Sequence, residues 1–436
     1  MTETTNTAPA AACFTIADHV SPDEARDVLV RMVDTPSPTG HEAQLVGVIA
    51  DWARSNEIEY TVDAGPGEAA SIVLDLPGTG DGPVLLVYAP LDIAESADLE
   101  RDSPWFGSVE TLREWQTARI RGTEVGGAGA ENPKGFVLAA LMALLALKRS
   151  GWTAPGTLRL ALCGSAMPTL GATPEELGFG SGLLRLLQKG LHADGAISCK
   201  PGWTVAHEEV GLTWLRVRLT GRQAYVGFRH KAPYDNAITR AGRLAAELEE
   251  WFTDYARTET SGLVAPQGIV AAIRGGAPEK SAFVGEVCDL YLDVRVSPRR
   301  KPAEVVRLVR AKLIEVLGPP GLDWRLDVRA TVPPSATDEA EPIIVSARRA
   351  WEVIEGGPHR HIDNTSGASD TCILRLWGIP TARVGMPLRV GLDSWLGPDT
   401  LGLNVVDVTD CLTLSELIAL TAIDSCAQVT PDPLAR

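Results

Sequence analysis

Asp92 closes an apolar run, Val84-Leu85-Leu86-Val87-Tyr88-Ala89-Pro90-Leu91. Such a run is a buried strand of an α/β sheet, and these sheets bind ligands at the carboxyl ends of their strands. A lone carboxylate at that end is a candidate base. A His two residues earlier would make a metal signature, but that position is Pro90. A second buried run, 193–199, ends in Lys200-Pro201. A lysine drawn out of water loses basicity and can serve as base or nucleophile, or it can pair with Asp92 as an internal salt bridge. Cys199 beside it invites a thiolate, although a strand-end cysteine is ordinarily inert. Ser165, in Gly164-Ser165-Ala166 after the strand 157–163, lacks the GxSxG frame of a nucleophile elbow. The glycine-rich stretch from Gly126 to Gly135 opens an apolar helix and can cradle an anion, but its spacing is not that of a P-loop and the chain holds no GxGxxG. Glu175-Glu176, after Thr173-Pro174, reads as charge at a helix start.

The elements that must position these groups follow from periodicity. Ser21-Pro22-Asp23-Glu24 is a helix start, with Ser as cap and Pro in the first turn, and that helix runs to Val33. A second amphipathic helix spans 41–55, and strands are expected at 71–76 and 84–88. The segment from Asp92 to Arg119, with Trp105 and Trp115, reads as a long irregular covering loop. After the helix 136–147 and the strands 157–163 and 193–199, the pattern changes. Strand 213–221, helix 236–255, strands 268–274 and 288–296, helix 303–317 and strand 323–330 make a β-α-β-β-α-β order, the ferredoxin-like arrangement. The α/β pattern then returns with helix 342–354, helix 371–377, strand 381–384 and helix 412–426. The expected fold class is therefore α/β, an open twisted sheet with helices on both faces, interrupted by an inserted module. The expected boundaries are 14–205 with 333–430 for the α/β domain, 206–332 for the insert, and 1–13 as a flexible tail.

Composition narrows the partners. A formal net charge of −16 disfavours nucleic acid, because phosphate binding needs a basic surface. No apolar run reaches the roughly 18 residues of a membrane span. The seven cysteines are scattered without CxxC spacing, as expected of a cytoplasmic protein with buried thiols.

Together these landmarks resemble the zinc aminoacylase and acetylornithine-deacetylase type metallopeptidase family, which includes glutamate carboxypeptidase and succinyl-diaminopimelate desuccinylase. The matching pieces are Pro36-Ser37-Pro38-Thr39-Gly40-His41-Glu42, Leu91-Asp92, Gly129-Ala130 with Lys134-Gly135, Asn236-Ala237-Ile238, Asp293-Val294-Arg295, and Ser369-Asp370 followed by Gly378-Ile379-Pro380-Thr381. The resemblance covers about Val20 to Ala427. It implies a zinc exopeptidase-like fold whose inserted module is a lid that often mediates dimerisation.

The family's metal chemistry is not carried by the same positions. Its first His falls on Pro90 and its bridging Asp on Asn132. Its Glu pair falls on Ala166 and Met167, and a further carboxylate ligand on Lys200. Its last His would lie after Gly385-Met386-Pro387, and no His follows His361. Its lid His falls on Tyr225. A zinc site needs about three or four N, O or S ligands. The resemblance gives Asp92 the role of orienting a metal-bound His, a role with no object here, so Asp92 is a relic or a base. Asn132 and Tyr225 remain polar and suit a substrate carbonyl or amide. Asn236 and Arg295 match lid positions that approach the substrate's polar end, and Lys134 and Asp370 complete the expected substrate-binding set. The expectation is thus a cofactor-free, metal-independent enzyme with Asp92, Lys200, Asn132 and Tyr225 as catalytic candidates. Its substrate is expected to be a small amino-acid-derived amide or amine, undergoing amide hydrolysis or transfer, elimination or ring closure. A homodimer through the insert, or a different protein partner, is expected. The alternatives are a non-catalytic binding or scaffold protein and a conventional metal hydrolase whose ligands lie elsewhere.

Overall fold

The computed structural model describes residues 14–427 apart from 81, 97, 172, 322, 388–392, 395–396 and 399–402. The expected 1–13 tail and most of the loop after Pro387 lie outside the described residues. The chain divides into two compact units. The first comprises Met1–His207, Thr337–His361 and Ile373–Arg436, and the second Glu208–Ala336 with Ile362–Cys372. The segment leading into the 371–376 helix, expected with the α/β domain, therefore belongs to the second unit. Thr365 accounts for this, since its N–H donates to the Leu263 carbonyl and its own carbonyl accepts from Ala265.

The first unit begins with α1 (Pro22–Val33), whose Ser21 cap accepts the Glu24 N–H at 3.1 Å. There follow α2 (Ala43–Ser55), β1 (Glu59–Ala64), β2 (Ala70–Leu76) and β3 (Val84–Pro90). The stretch expected to be irregular holds two short helices, α3 (Leu99–Phe106) and α4 (Val109–Trp115). Asp98 caps the first through the Glu100 and Arg101 N–H groups, and Ser108 caps the second through that of Thr111. Gly107 between them breaks the periodicity that would have revealed both. Then come α5 (Lys134–Arg149), β4 (Thr157–Cys163), α6 (Ser181–Gln188) and β5 (Gly195–Cys199).

The second unit carries β6 (Gly211–Thr220), α7 (Ala237–Glu259), β7 (Gly268–Gly275), β8 (Val287–Val296), α8 (Pro302–Leu317) and β9 (Trp324–Val332). Its strands form an antiparallel sheet in the order β7-β8-β6-β9. Alternation decides its faces. Leu215, Val217, Leu219, Leu290, Leu292 and Val294 join the core with Leu244, Leu248 and Phe252 of α7 and Val305, Val309 and Leu313 of α8. The intervening positions carry Arg216, Arg218 and Asp289. Register sets Arg218 opposite Asp289 and Arg216 opposite Asp327, and each pair closes as an ion pair, at 2.7 and 2.6 Å.

The chain returns to the first unit as α9 (Pro342–Glu355), passes through α10 (Thr371–Leu376) and adds β10 (Thr381–Val384) and α11 (Val408–Cys426). The six-stranded sheet has the order β1-β2-β4-β3-β5-β10. β4, β3, β5 and β10 are mutually parallel, while β1 and β2 form an antiparallel margin. Period-two alternation again sorts the layers. Leu85, Val87 and Ala89 join the large core under α5, α9 and α11, whereas Leu86 and Tyr88 join Leu183, Leu187 and Leu374 on the other face. Helix α5 is apolar around its whole circumference, as a helix sandwiched between a sheet and outer helices must be. No helix among the described residues is long and apolar enough to cross a membrane.

Candidate functional site

Topology places a crevice in the first unit. β3 lies between β4 and β5. The chain leaves β3 through α5 to reach β4 on one side, and later reaches β5 on the other side through α6. Open α/β sheets bind ligands outside the carboxyl ends of strands at such a reversal. The walls are the residues following Pro90 of β3 and Cys199 of β5, which bear Asp92 and Lys200.

Asp92 is wholly buried. Its carboxylate accepts the Thr39 hydroxyl at 2.7 Å, the Met167 N–H at 2.8 Å and the Ala166 N–H at 2.9 Å. Beneath the same loop lies Glu42, also wholly buried, which accepts the Gly40 N–H at 2.8 Å and the Ser165 N–H at 2.9 Å. The loop is shaped for this grip. Ser165 adopts a left-handed conformation with φ 54°, and a Cβ on Gly164 would stand 2.5 Å from the Ala70 carbonyl oxygen. The left-handed turn costs about 1–2 kcal/mol, which the Glu42 and Asp92 bonds offset. Burial, then the neighbouring Asp92 charge, pushes Glu42 up to about 7, and burial likewise raises Asp92. Sequence reasoning missed Glu42 as a site residue, because its partner Ser165 is 123 positions away.

Lys200 is half-buried, and among the described residues it forms no ion pair, with Asp92 or any other carboxylate. The expected Asp92–Lys200 salt bridge is absent because the Asp92 oxygens are occupied by the loop. The ammonium instead lies 5.9 Å from the centre of the buried Tyr88 ring. Its backbone is fixed. The Lys200 N–H donates to Val384 at 2.8 Å, and a Cβ on Gly385 would stand 1.6 Å from the Lys200 carbonyl oxygen. Arg383 donates to the Pro201 carbonyl, placing a second cation beside the same turn. The Cys199 thiol is pushed up to about 12 by burial, so it is a packing group rather than a nucleophile.

Asn132 ends the glycine-rich stretch just before α5, and its side-chain oxygen is buried without a hydrogen-bond partner. That stretch meets the strand end through Ala128, which packs with Ile93, Leu112 and Trp115. Trp115 thus covers this wall, while the side chain of Trp105 lies outside the described residues. Lys134 is wholly buried, and its ammonium donates to the Thr35 carbonyl at 3.1 Å. Burial pushes it down to about 8 against the opposing pull of Glu95 and Asp34.

The remaining candidates belong to the second unit. Tyr225 is 44% exposed and meets Phe228 edge-on and Phe283 at a tilt in a surface aromatic cluster. The Asn236 side-chain oxygen caps α7, accepting the Ile238 N–H at 2.9 Å. Arg295 pairs with Asp293 at 3.0 Å and reaches the Ser366 carbonyl. Asp370 is buried at the start of α10.

A metal centre of the kind implied by the resemblance does not fit this donor set. Pro90, Ala166 and Met167 offer no ligand side chain, Lys200 brings positive charge, and the Asp92 oxygens are taken. Among the described residues no group of three His, Cys, Asp or Glu side chains is placed to hold a metal ion. No family model matches the chain. Its fold is nevertheless that of M20 peptidases with their inserted smaller domain. Human carnosine dipeptidase 1 superposes with a TM-score of 0.71 at 14% identity, over 95% of this chain and 98% of that one. The Bacillus subtilis YXEP protein, a dinuclear metal-binding peptidase of the M20 family, gives 0.60 at 14% identity, over 92% and 97%. An amidase of the hydantoinase/carbamoylase family from Burkholderia multivorans gives 0.62 at 14% identity, over 94% and 99%. At these identities the likeness is one of fold.

Proposed function

We propose that this protein acts on a small amino-acid-derived amide or amine without a metal ion. The observation that carries this reading is Lys200, a cation at the crevice wall without a carboxylate partner among the described residues. A fixed positive charge there can stabilise negative charge developing on a substrate carbonyl oxygen, the task a metal would otherwise perform. Asn132, with its unpartnered amide oxygen, can accept an N–H from the substrate and fix its orientation. Asp92 anchors the loop rather than serving as a base, since each of its oxygens already accepts hydrogen bonds. Turnover assays on N-acyl amino acids, dipeptides and ureido acids, with and without a chelator, test the proposal. Turnover that survives chelation and falls in Lys200→Ala is expected. Activity that requires stoichiometric zinc would overturn it.

A second reading is a non-catalytic binding protein on the same fold. It is favoured by the apolar Ala166 and Met167 and by the saturation of Asp92. Ligand binding without turnover of any amide or amine would support it. We also infer that two copies associate through the second unit. The β7 strand pairs with β8 on one side only among the described residues and exposes half the surface of Ile269 and of Ile273.

A further inference from the structure

We propose that the crevice between the carboxyl ends of β3 and β5 binds a carboxylate of a small molecule, with Lys200 as its counter-ion. This deepens the reading above, because the carboxylate released by amide hydrolysis would occupy the place of the carbonyl oxygen beside Lys200, but binding of an acid there does not depend on turnover. Of the two charged walls, one is closed to ligands. Asp92 is buried, and its oxygens are engaged by Thr39, Ala166 and Met167. The other wall carries a half-buried ammonium with an aromatic face on one side and no anion among the described residues. Acidic partners are not scarce in this chain, which has 56 Asp and Glu against 40 Lys and Arg. Partly desolvating a cation without a partner is costly, and the cost is recovered when an anion arrives.

The site is also rigid. The peptide of Lys200 is clamped by Val384, by the close approach of Gly385 and by the Gly202 N–H bonded to Met386. The backbone needs no further ordering, so the entropy cost of binding is confined to the Lys200 side chain. The crevice has thus reversed polarity relative to a metal site: carboxylates gathered around a cation give way to a protein cation that faces an anion. One ammonium suits a monoanionic carboxylate better than a phosphate dianion.

Thermal-shift and calorimetric titrations of the intact protein test this with matched pairs, N-acetylglycine against N-acetylglycinamide and succinamate against succinamide, with inorganic phosphate as a separate arm. The acids are expected to bind at least about tenfold tighter than the amides, the size of one charge-assisted hydrogen bond. Lys200→Gln is expected to abolish the difference and Lys200→Arg to keep it. If the Gln variant fails to fold, reductive methylation of wild-type Lys200 gives the same answer, slowed by N-acetylglycine and not by N-acetylglycinamide. Equal binding of acids and amides, an acid preference that survives in Lys200→Gln, or binding of phosphate alone would overturn the proposal. Acid binding without any turnover would sink only the enzymatic reading. Turnover of neutral amides without acid preference would sink only this one.

Discussion

Glu42 and Asp92 grip consecutive peptide groups of one loop, Glu42 taking the N–H of Ser165 and Asp92 those of Ala166 and Met167. Two buried carboxylates this closely coupled cannot both ionise freely, and both are raised, Glu42 to about 7. Between pH 4.5 and about 7 the folded state therefore binds more protons than the unfolded chain. The stability Glu42 contributes is complete below pH 4.5 and is lost as pH rises through about 7, amounting to about 3 kcal/mol. Glu42→Gln keeps an acceptor for Gly40 and Ser165 without a titrating proton. Urea midpoints taken across this window should fall for the wild type and fall less steeply for the variant, in which only Asp92 of the pair still titrates. Identical slopes would refute the assignment.

Asp92 can be separated from a catalytic base by its own variants. Asp92→Ala leaves the Ala166 and Met167 N–H groups buried without an acceptor. Each orphaned donor costs about 1–3 kcal/mol, so a loss of about 2–6 kcal/mol is expected. Asp92→Asn retains one carbonyl oxygen and should lose less. Hydrogen exchange at Ala166 and Met167 should speed up in both. Unchanged exchange together with lost activity would instead make Asp92 a base.

Exposed edge strands with apolar side chains tend to pair with other chains. If two copies join along β7, light scattering at micromolar concentration should give twice the chain mass. Ile269→Lys with Ile273→Lys should halve it, by placing charge on both exposed positions. A monomeric wild type would end that proposal.

What could be read from the sequence was whatever repeats locally. Thr157–Cys163 is a largely apolar run and Thr381–Val384 a short stretch with β-branched ends, and both strands fall where the sequence pattern puts them. The β-α-β-β-α-β order was equally plain, because Leu215, Val217 and Leu219 alternate with outward polar residues. β1 was missed because Glu59–Ala64 is a mostly exposed margin strand with no apolar run to betray it. The candidate site was legible as a set of strand ends and substitutions, but not as a set of bonds. Nothing near Asp92 announces that the peptide groups of Ala166 and Met167, 74 and 75 residues on, will take its oxygens and leave Lys200 without a carboxylate partner among the described residues. Hydrogen bonds from backbone N–H groups depend on loop conformation rather than residue type, so they leave little trace in composition or spacing.

Lys134 offers the last test, since it was expected to touch substrate and instead lies wholly inside the first unit. Burial lowers it from 10.5 to about 8, so between those values the unfolded chain binds more protons than the folded one. Stability should therefore rise with pH across that window. Below it, the buried charge costs the folded state about 3 kcal/mol. Lys134→Met has a similar shape and removes the charge, at the expense of the bond to Thr35, worth about 1 kcal/mol. The variant should be about 1–2 kcal/mol more stable than wild type at pH 7 and should lose the rise between pH 8 and 10.5, both read from urea unfolding. A destabilised variant with the alkaline rise intact would mean that the ammonium is held by stronger partners than the Thr35 carbonyl.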